Sequence, residues 1–281
     1  MKRWMTVVLC MLMAYVASAH AGDVRKTAEA TMLVTGSIEV MPDGTVHDYS
    51  IDRPEKIPPL VLDLIKNNVP NWKFRRDDHL EAIFKAKMNL RIVAKRVDDQ
   101  HDSITISSAS FGDADAAHTD QVSAKNPRLP HYPLDAIKAR VSGTVFLSMR
   151  VGRTGQVENI AIEQVNLNMY GNDAQMRHYR EVLGDAALDA LKTWTFNLPT
   201  TGKHVTDPYW DVRMPVAFDL NVLGQSAEDT YGKWKTYIPG PRESIPWAKS
   251  SKLSSSSDAI PEGSVSQVDQ PLQLMTALDG A

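Results

Sequence analysis

The sequence is poor in cysteine and has no strong charge of either sign. Cys10 is the single cysteine among 281 residues and lies in the N-terminal apolar run. The mature chain is therefore expected to have neither a disulfide nor a thiol site. A net charge of −3 provides no general attraction for polyanions, so nucleic acid is not an expected partner. A hydrophobic content of 43% is sufficient for folded cores.

Recognisable catalytic and metal-binding patterns are missing as well. The eight histidines are scattered, and none stands at metal-ligand spacing from another residue. The sequence contains no H-E-x-x-H, C-x-x-C or G-x-S-x-G pattern and no Gly-rich phosphate loop. We therefore expect a protein that is not an enzyme and that needs no cofactor or metal. An envelope enzyme of unidentified chemistry is the alternative from another functional class.

Long apolar runs are restricted to the N-terminus, where the pattern is that of an export signal. Lys2 and Arg3 precede the apolar residues 4–16, and Ala17-Ser18-Ala19 and Ala19-His20-Ala21 each fit a small-residue cleavage site. The run is shorter than the roughly 20 residues that span a bilayer. We interpret residues 1–21 as a signal peptide of a periplasmic protein. The alternative is a retained anchor that holds the protein to the inner membrane, facing the periplasm.

Residues 24–112 predict a first α+β unit. Asp43-Gly44 favours a tight hairpin turn, because this pair tolerates the positive φ that such turns require. Trp72-x-Phe74 follows the helix, and we expect Trp72 and its counterpart Trp194 in the second unit to be buried anchors. The predicted elements are two strands within 32–51, a helix over 57–69, and strands over 82–95 and 103–111. The third strand carries a basic row that we interpret as protection of a sheet edge, with a binding role as the alternative: Lys85, Lys87, Arg91, Lys95 and Arg96.

Residues 127–223 predict a second unit with the same order of elements, after a linker at 113–126. The predicted elements are a short helix from Pro133, strands over 143–151 and 159–162, a helix over 186–191, and a strand over 212–220. Residues 166–182 either extend the second helix towards the N-terminus or form a loop. Pro215 cannot donate a hydrogen bond to a neighbouring strand, which places the last strand at an edge or at a bulge.

The two units match at three places, which suggests an internal duplication. Residues 36–40 correspond to 143–147, residues 43–46 to 154–157, and residues 71–74 to 193–196. A hairpin followed by a helix and a strand is common, so chance similarity is the alternative. Residues 224–281 are rich in Pro and Ser and predict an extended, partly disordered tail.

The second unit resembles the C-terminal domain of TonB, the energy transducer that couples the inner membrane to outer-membrane receptors. The first unit resembles it more loosely. The resemblance implies two units that each form a small antiparallel sheet, in which the final strand of the second pairs with an extended receptor segment. The motif residues that match are Tyr132, Pro133, Gly143, Gly155, Trp194 and Phe196. The implied partner-binding strand comprises Asp211, Val212, Arg213, Met214, Val216, Ala217 and Phe218.

Two departures from the TonB pattern argue against energy transduction. Transducers carry a Ser-x-x-x-His signature in a retained helix, whereas Ser18 and His20 are only two positions apart. Transducers also have a long Pro-rich spacer, whereas residues 22–31 would reach only about 35 Å when extended. The favoured hypothesis is a non-catalytic periplasmic protein that binds a partner protein, such as an outer-membrane receptor, by strand addition. A true transducer working with ExbB/ExbD-like proteins is the alternative, and a homodimer through exposed strand edges is compatible with both.

Overall fold

The computed structural model of this chain describes residues 27–76, 81–98, 100–113, 119–220, 229–247, 257–270 and 272–278. Strands account for 42% of the residues and helices for 20%. The recorded strand pairs are antiparallel. The fold is therefore of the α+β type. The expected signal peptide at residues 1–21, including Cys10, lies outside the described residues.

The elements of the first half of the chain are β1 (Glu29–Val40), β2 (Val46–Ile51), α1 (Pro59–Asn68), β3 (Phe74–Arg76), β4 (Phe84–Arg96) and β5 (Asp102–Asp113). In the five-stranded first sheet, β4 lies between β1 and β5, and β2 pairs with the other side of β1. The basic strand β4 pairs with β1 on one side and with β5 on the other. The prediction that its lysines and arginines protect a sheet edge is therefore wrong. Lys85 instead forms an ion pair with Glu39 on β1, at 2.9 Å.

The elements of the second half of the chain are β6 (Ser123–Ala124), α2 (Leu134–Lys138), β7 (Gly143–Gly152), β8 (Val157–Leu167), α3 (Asp173–Leu191), β9 (Phe196–Asn197) and β10 (Tyr209–Phe218). In the second sheet, β7 lies between β8 and β10. Helix α3 begins at a capping box, in which Asn172 and Gln175 each accept a hydrogen bond from the backbone of the other. Residues 173–182 therefore extend the helix, as one of the two sequence-based alternatives predicted.

Each helix covers one face of its sheet and encloses a separate hydrophobic core. Val61 and Ile65 of α1 join the first core, and Leu183, Ala187 and Leu191 of α3 join the second. Trp72 and Trp194 follow the helices and are only 2% and 4% exposed, so the prediction that both are buried anchors is confirmed. Their burial fixes the turn that returns the chain to the sheet.

The two halves also share an arrangement of hairpin turn and returning strand. Gly44 and Gly155 have φ of +82° and +76°, and their carbonyl oxygens accept hydrogen bonds from the amides of Phe74 and Phe196, each at 2.8 Å. A Cβ at either glycine would lie 2.0 or 2.5 Å from the carbonyl oxygen of the same phenylalanine. Both turns thus need glycine for conformation and for close approach.

The C-terminal part of the chain is built into both halves of the molecule. Its described residues include β11 (Lys235–Tyr237), β12 (Ser266–Gln267) and β13 (Leu272–Leu274), which pair with β1, β10 and β3. The expectation of a partly disordered tail therefore does not hold for these residues. The linker expected at 113–126 likewise contains β6, which pairs with β9. Short stretches with little hydrophobic periodicity gain order here by completing sheet edges.

Candidate functional site

Strand β10 pairs with β7 along one side, and its opposite side pairs with the short strand β12 only at Val212 and Arg213. All ten of its residues pair with β7 on the inner side. The carbonyl oxygens of Asp211 and Pro215 accept hydrogen bonds from the opposite side. Because direction alternates along a strand, the backbone groups of Arg213 and Ala217 also point outward. Pro215 thus lacks an N–H on the outer edge, where the loss does not interrupt the pairing with β7.

The outer edge of β10 is partly covered by residues 261–270, which we call the strap. Val212 and Arg213 pair with Gln267 and Ser266 in the antiparallel direction. The amide of Val268 donates to the Asp211 carbonyl at 2.9 Å, and the amide of Gly263 donates to the Pro215 carbonyl at 3.0 Å. Residues 211–215 therefore already have a strand neighbour within the same chain.

Four of the predicted site residues point into the core and offer no side chain to a partner. Their side chains lie on the face that α3 covers, and each residue is at most 5% exposed: Val212, Met214, Val216 and Phe218. Ala217 is half-buried and has its side chain on the opposite face. A partner at this strand would therefore recognise the backbone, because the side chains are committed to the fold.

The other face of β10 carries a buried ion pair. Arg213 Nε donates to Glu163 at 2.7 Å, and the Ser257 hydroxyl donates to the same carboxylate at 2.5 Å. Ser148 also donates to Glu163. Burial alone would raise the pKa of Glu163, but the charge of Arg213 and the two hydroxyl donors outweigh it and lower the pKa below its usual range. Arg213 is thus a structural cation, which the sequence did not reveal because Glu163 and Ser257 are remote in the chain.

Asp211 is likewise engaged within the chain. Arg150 donates two hydrogen bonds to its carboxylate, at 2.9 and 3.0 Å, and its guanidinium lies 3.7 Å from the centre of the Tyr209 ring. The bonds to Asp211 raise the pKa of Arg150. The structure therefore brings the seven predicted site residues together on one strand, but uses both charged side chains internally.

The predicted motif residues surround β10 and support it. The Tyr132 hydroxyl donates to the carbonyl of Val141 at 2.6 Å, and its ring packs edge-on against Phe218 with centroids 5.4 Å apart. Burial, with a contribution from the Asp219 charge, raises the pKa of Tyr132 to about 12. Pro133 precedes the first residue of α2. These residues fix the end of the strand.

The remaining motif residues lie at the close contacts of the second sheet. Gly143 begins β7, and a Cβ there would lie 2.4 Å from the carbonyl oxygen of Asn166. Trp194 Nε1 donates to the carbonyl of Arg128 at 3.0 Å, and Phe196 is 3% exposed. Their positions, like that of Gly155 in the hairpin turn, are those of residues needed for folding.

Other features of the described residues offer little chemistry. Within those ranges no cluster of three His, Cys, Asp or Glu side chains could hold a metal ion. An open cleft of about 510 Å³ lies at one end of the first sheet, between β11 and the ends of β4 and β5. Its lining mixes Trp234 and Ile104 with Lys95 and Asp102.

Comparison with known proteins gives a partial match. Two curated relatives, both called Protein TonB, come from Xanthomonas campestris pv. campestris strains B100 and ATCC 33913. Each is 34% identical to this chain over 100 residues. Part of this chain is similar to TonB. The match covers 36% of this chain and 39% of the length of each TonB relative. No family model matches the chain.

No helix in the described part of the chain is both long and apolar enough to cross a bilayer. The anchor expected as an alternative would fall in residues 1–21, outside that part.

Proposed function

We propose that this protein is a non-catalytic, TonB-like periplasmic protein that binds an extended segment of a partner protein at the outer edge of β10. The observation that carries the proposal is the outward-facing backbone of β10, whose inner side is fully paired with β7. The similarity to TonB supports a role in envelope transport. An outer-membrane receptor is the partner class that we favour.

Backbone recognition suits this strand because few of its side chains are available to a partner. Alternate side chains enter the core, and Arg213 and Asp211 are bound to Glu163 and Arg150. An added strand instead gains main-chain hydrogen bonds from outward-facing groups, and such bonds depend weakly on sequence. Ala217 provides an outward N–H and C=O beyond the part of the edge that the strap covers.

The test removes the outward-facing N–H of residue 217 and leaves the pairing of β10 with β7 in place. Ala217→Pro removes the N–H that faces away from β7, whereas Ala217→Val keeps it and favours extended backbone. Peptides from the N-terminal segments of outer-membrane receptors are bound to beads and used for pull-down. We expect Ala217→Pro to reduce retention about fivefold and Ala217→Val to retain normal binding. Equal retention of both variants, or retention no better than on a scrambled peptide, would refute the proposal.

We also propose that the two sheets arose by duplication, with units at residues 24–112 and 127–223. The equivalent turns at Gly44 and Gly155 support this, because both accept from the phenylalanine of a Trp-x-Phe sequence. The bridges Thr45–Lys73 and Gln156–Thr195 lie at equivalent places as well. In each unit, the strand that begins at this phenylalanine pairs with a short strand from elsewhere in the sequence: β3 pairs with β13, and β9 pairs with β6.

A transducer with a retained anchor is the second candidate, and the shared name of the TonB relatives is the observation that favours it. N-terminal sequencing of the protein from fractionated cells separates the two. A mature chain that starts near His20 or Gly22 in the soluble periplasmic fraction supports the exported binding protein. An intact Met1 or Lys2 in the membrane fraction supports the transducer.

A further inference from the structure

The strap is held to β10 mainly by backbone hydrogen bonds. None of its described residues is buried, although Val265 packs partly against the second core. Its polar side-chain contacts include Gln267 Oε1, which accepts from the amide of Val122 at 3.2 Å, and Glu262, which lies 3.5 Å from Lys235. Such a segment contributes little apolar burial, so its attachment to the edge is weak compared with that of the core strands.

The residues on either side of the strap are anchored firmly. Ala259 and Ile260 precede it and are 0% and 3% exposed. Leu272 and Leu274 follow it and enter the first hydrophobic core. The strap is therefore a weakly bound stretch between two fixed ends, which keeps it at a high effective concentration beside β10 even after it detaches.

We infer that the strap is an internal substitute for the partner, and that a partner strand binds β10 by displacing it. This inference rests on the proposed function of β10. A partner would take over the hydrogen bonds that the strap now makes to Asp211, Arg213 and Pro215. The closed form would protect an exposed edge from unwanted pairing until a competing strand is present.

The strap also defines the kind of segment that the edge accepts. It is antiparallel to β10, and most of its residues are small or polar, as in Pro261–Gln270 with the sequence PEGSVSQVDQ. Its donors at Gly263 and Val268 match carbonyls four residues apart on β10. The partner class is therefore an extended, largely polar peptide whose backbone N–H groups reach the carbonyl oxygens of Asp211 and Pro215.

Three forms of the full-length protein test the displacement. In the open form, Gly263→Pro and Val268→Pro remove both strap donors, and proline also excludes the φ of +75° at position 263. In its matched control, Gly263→Asn and Val268→Ala keep the N–H groups, and asparagine tolerates that φ. In the locked form, Val212→Cys and Gln267→Cys join a directly opposed pair, in a Cys10→Ser background.

The probe is a fluorescent peptide with the strap sequence, residues 261–270, measured by fluorescence anisotropy. We expect the open form to bind it about tenfold more tightly than the wild type and the matched control, since two hydrogen bonds no longer compete. The oxidised locked form should not bind, and reduction should restore wild-type binding. Near-ultraviolet circular dichroism verifies that each form is folded.

The results that would contradict displacement differ from those that would contradict the proposed function of β10. Equal binding by the wild-type, open and oxidised locked forms would overturn displacement but leave the Ala217→Pro test of β10 standing. Binding of receptor segments without any binding of the strap peptide would do the same. Failure of every form to bind either peptide would refute both the proposed function and the displacement of the strap.

Discussion

Arg213 and Glu163 form an ion pair at 2.7 Å in which the two side chains are only 6% and 9% exposed. The pair lies on the face of the second sheet that is not covered by α3. Ser257 donates to the same carboxylate, and the carbonyl of its neighbour Asp258 accepts from Arg91 of the first sheet at 2.6 Å. A charged side chain of β10 thus helps to hold the chain just before the strap, and links the two sheets through it.

Glu163→Gln should lower the free energy of unfolding by about 3–5 kcal/mol, because it leaves the buried guanidinium of Arg213 without its counter-charge. The measurement is urea unfolding at pH 7, monitored by tryptophan fluorescence. The matched control is Glu181→Gln on the exposed surface of α3, which should change the stability by less than about 0.5 kcal/mol. A similar small loss for both variants would contradict a structural role for the pair.

The same carboxylate should make stability sensitive to acid. The folded-state pKa of Glu163 lies below its ordinary value of 4.5, so its stabilising contribution is complete above that value. The contribution is lost as the pH falls from 4.5 through the folded-state pKa. Unfolding midpoints between pH 6 and pH 3 should therefore fall less steeply for Glu163→Gln than for the wild type. Parallel pH profiles would show that Glu163 does not titrate differently on folding.

Gly155→Ala should destabilise the protein more than Gly263→Ala, although both glycines have φ near +75°. A methyl group at 263 meets no atom within 4 Å, so only the backbone penalty of about 1 kcal/mol applies. At 155 the methyl group would also lie 2.5 Å from the Phe196 carbonyl oxygen and displace the returning strand. Thermal unfolding of the two variants gives the comparison, and equal losses would exclude a role for this close approach.

Local patterns in the sequence predicted the strands and helices that pack on their own neighbours. The turn at Asp43-Gly44 and the buried Trp72 and Trp194 are examples, since glycine conformation and aromatic burial are encoded within a few residues. The position of β4 inside its sheet and the burial of Arg213 were not predictable in this way. They depend on β1 and on Glu163, which are remote in the sequence and are brought alongside only by the tertiary fold.

Trp194→Ala should cost about 3–5 kcal/mol, because it removes a large side chain that is 4% exposed and the hydrogen bond to the Arg128 carbonyl. Trp194→Phe should cost less, since the ring largely remains and only the donor and some volume are lost. Trp234→Ala is the control, with a side chain on the surface whose removal should change stability by less than about 1 kcal/mol. Chemical unfolding measures the stability of all three variants. Equal effects of Trp194→Ala and Trp234→Ala would contradict the stabilising role of the buried Trp194.

The first core should depend on residues that lie almost 200 positions away in the sequence. Leu274 of β13 is 6% exposed in the core that also contains Trp72 and Phe74, and the amide of Met275 donates to the Lys73 carbonyl at 2.8 Å. Leu274→Ala removes the buried side chain but keeps the backbone pairing, and should lower stability by about 2–4 kcal/mol.

Met275→Ala is the matched control for Leu274→Ala, because it shortens a neighbouring side chain that is 54% exposed and should change stability by less than about 0.5 kcal/mol. Hydrogen exchange locates the effect. Amides of β1 and β4 should lose protection in Leu274→Ala, since they lie in the sheet on which this core is built. If both variants retain wild-type stability and protection, the first core is complete without the C-terminal residues, and the downstream anchor of the strap is not fixed.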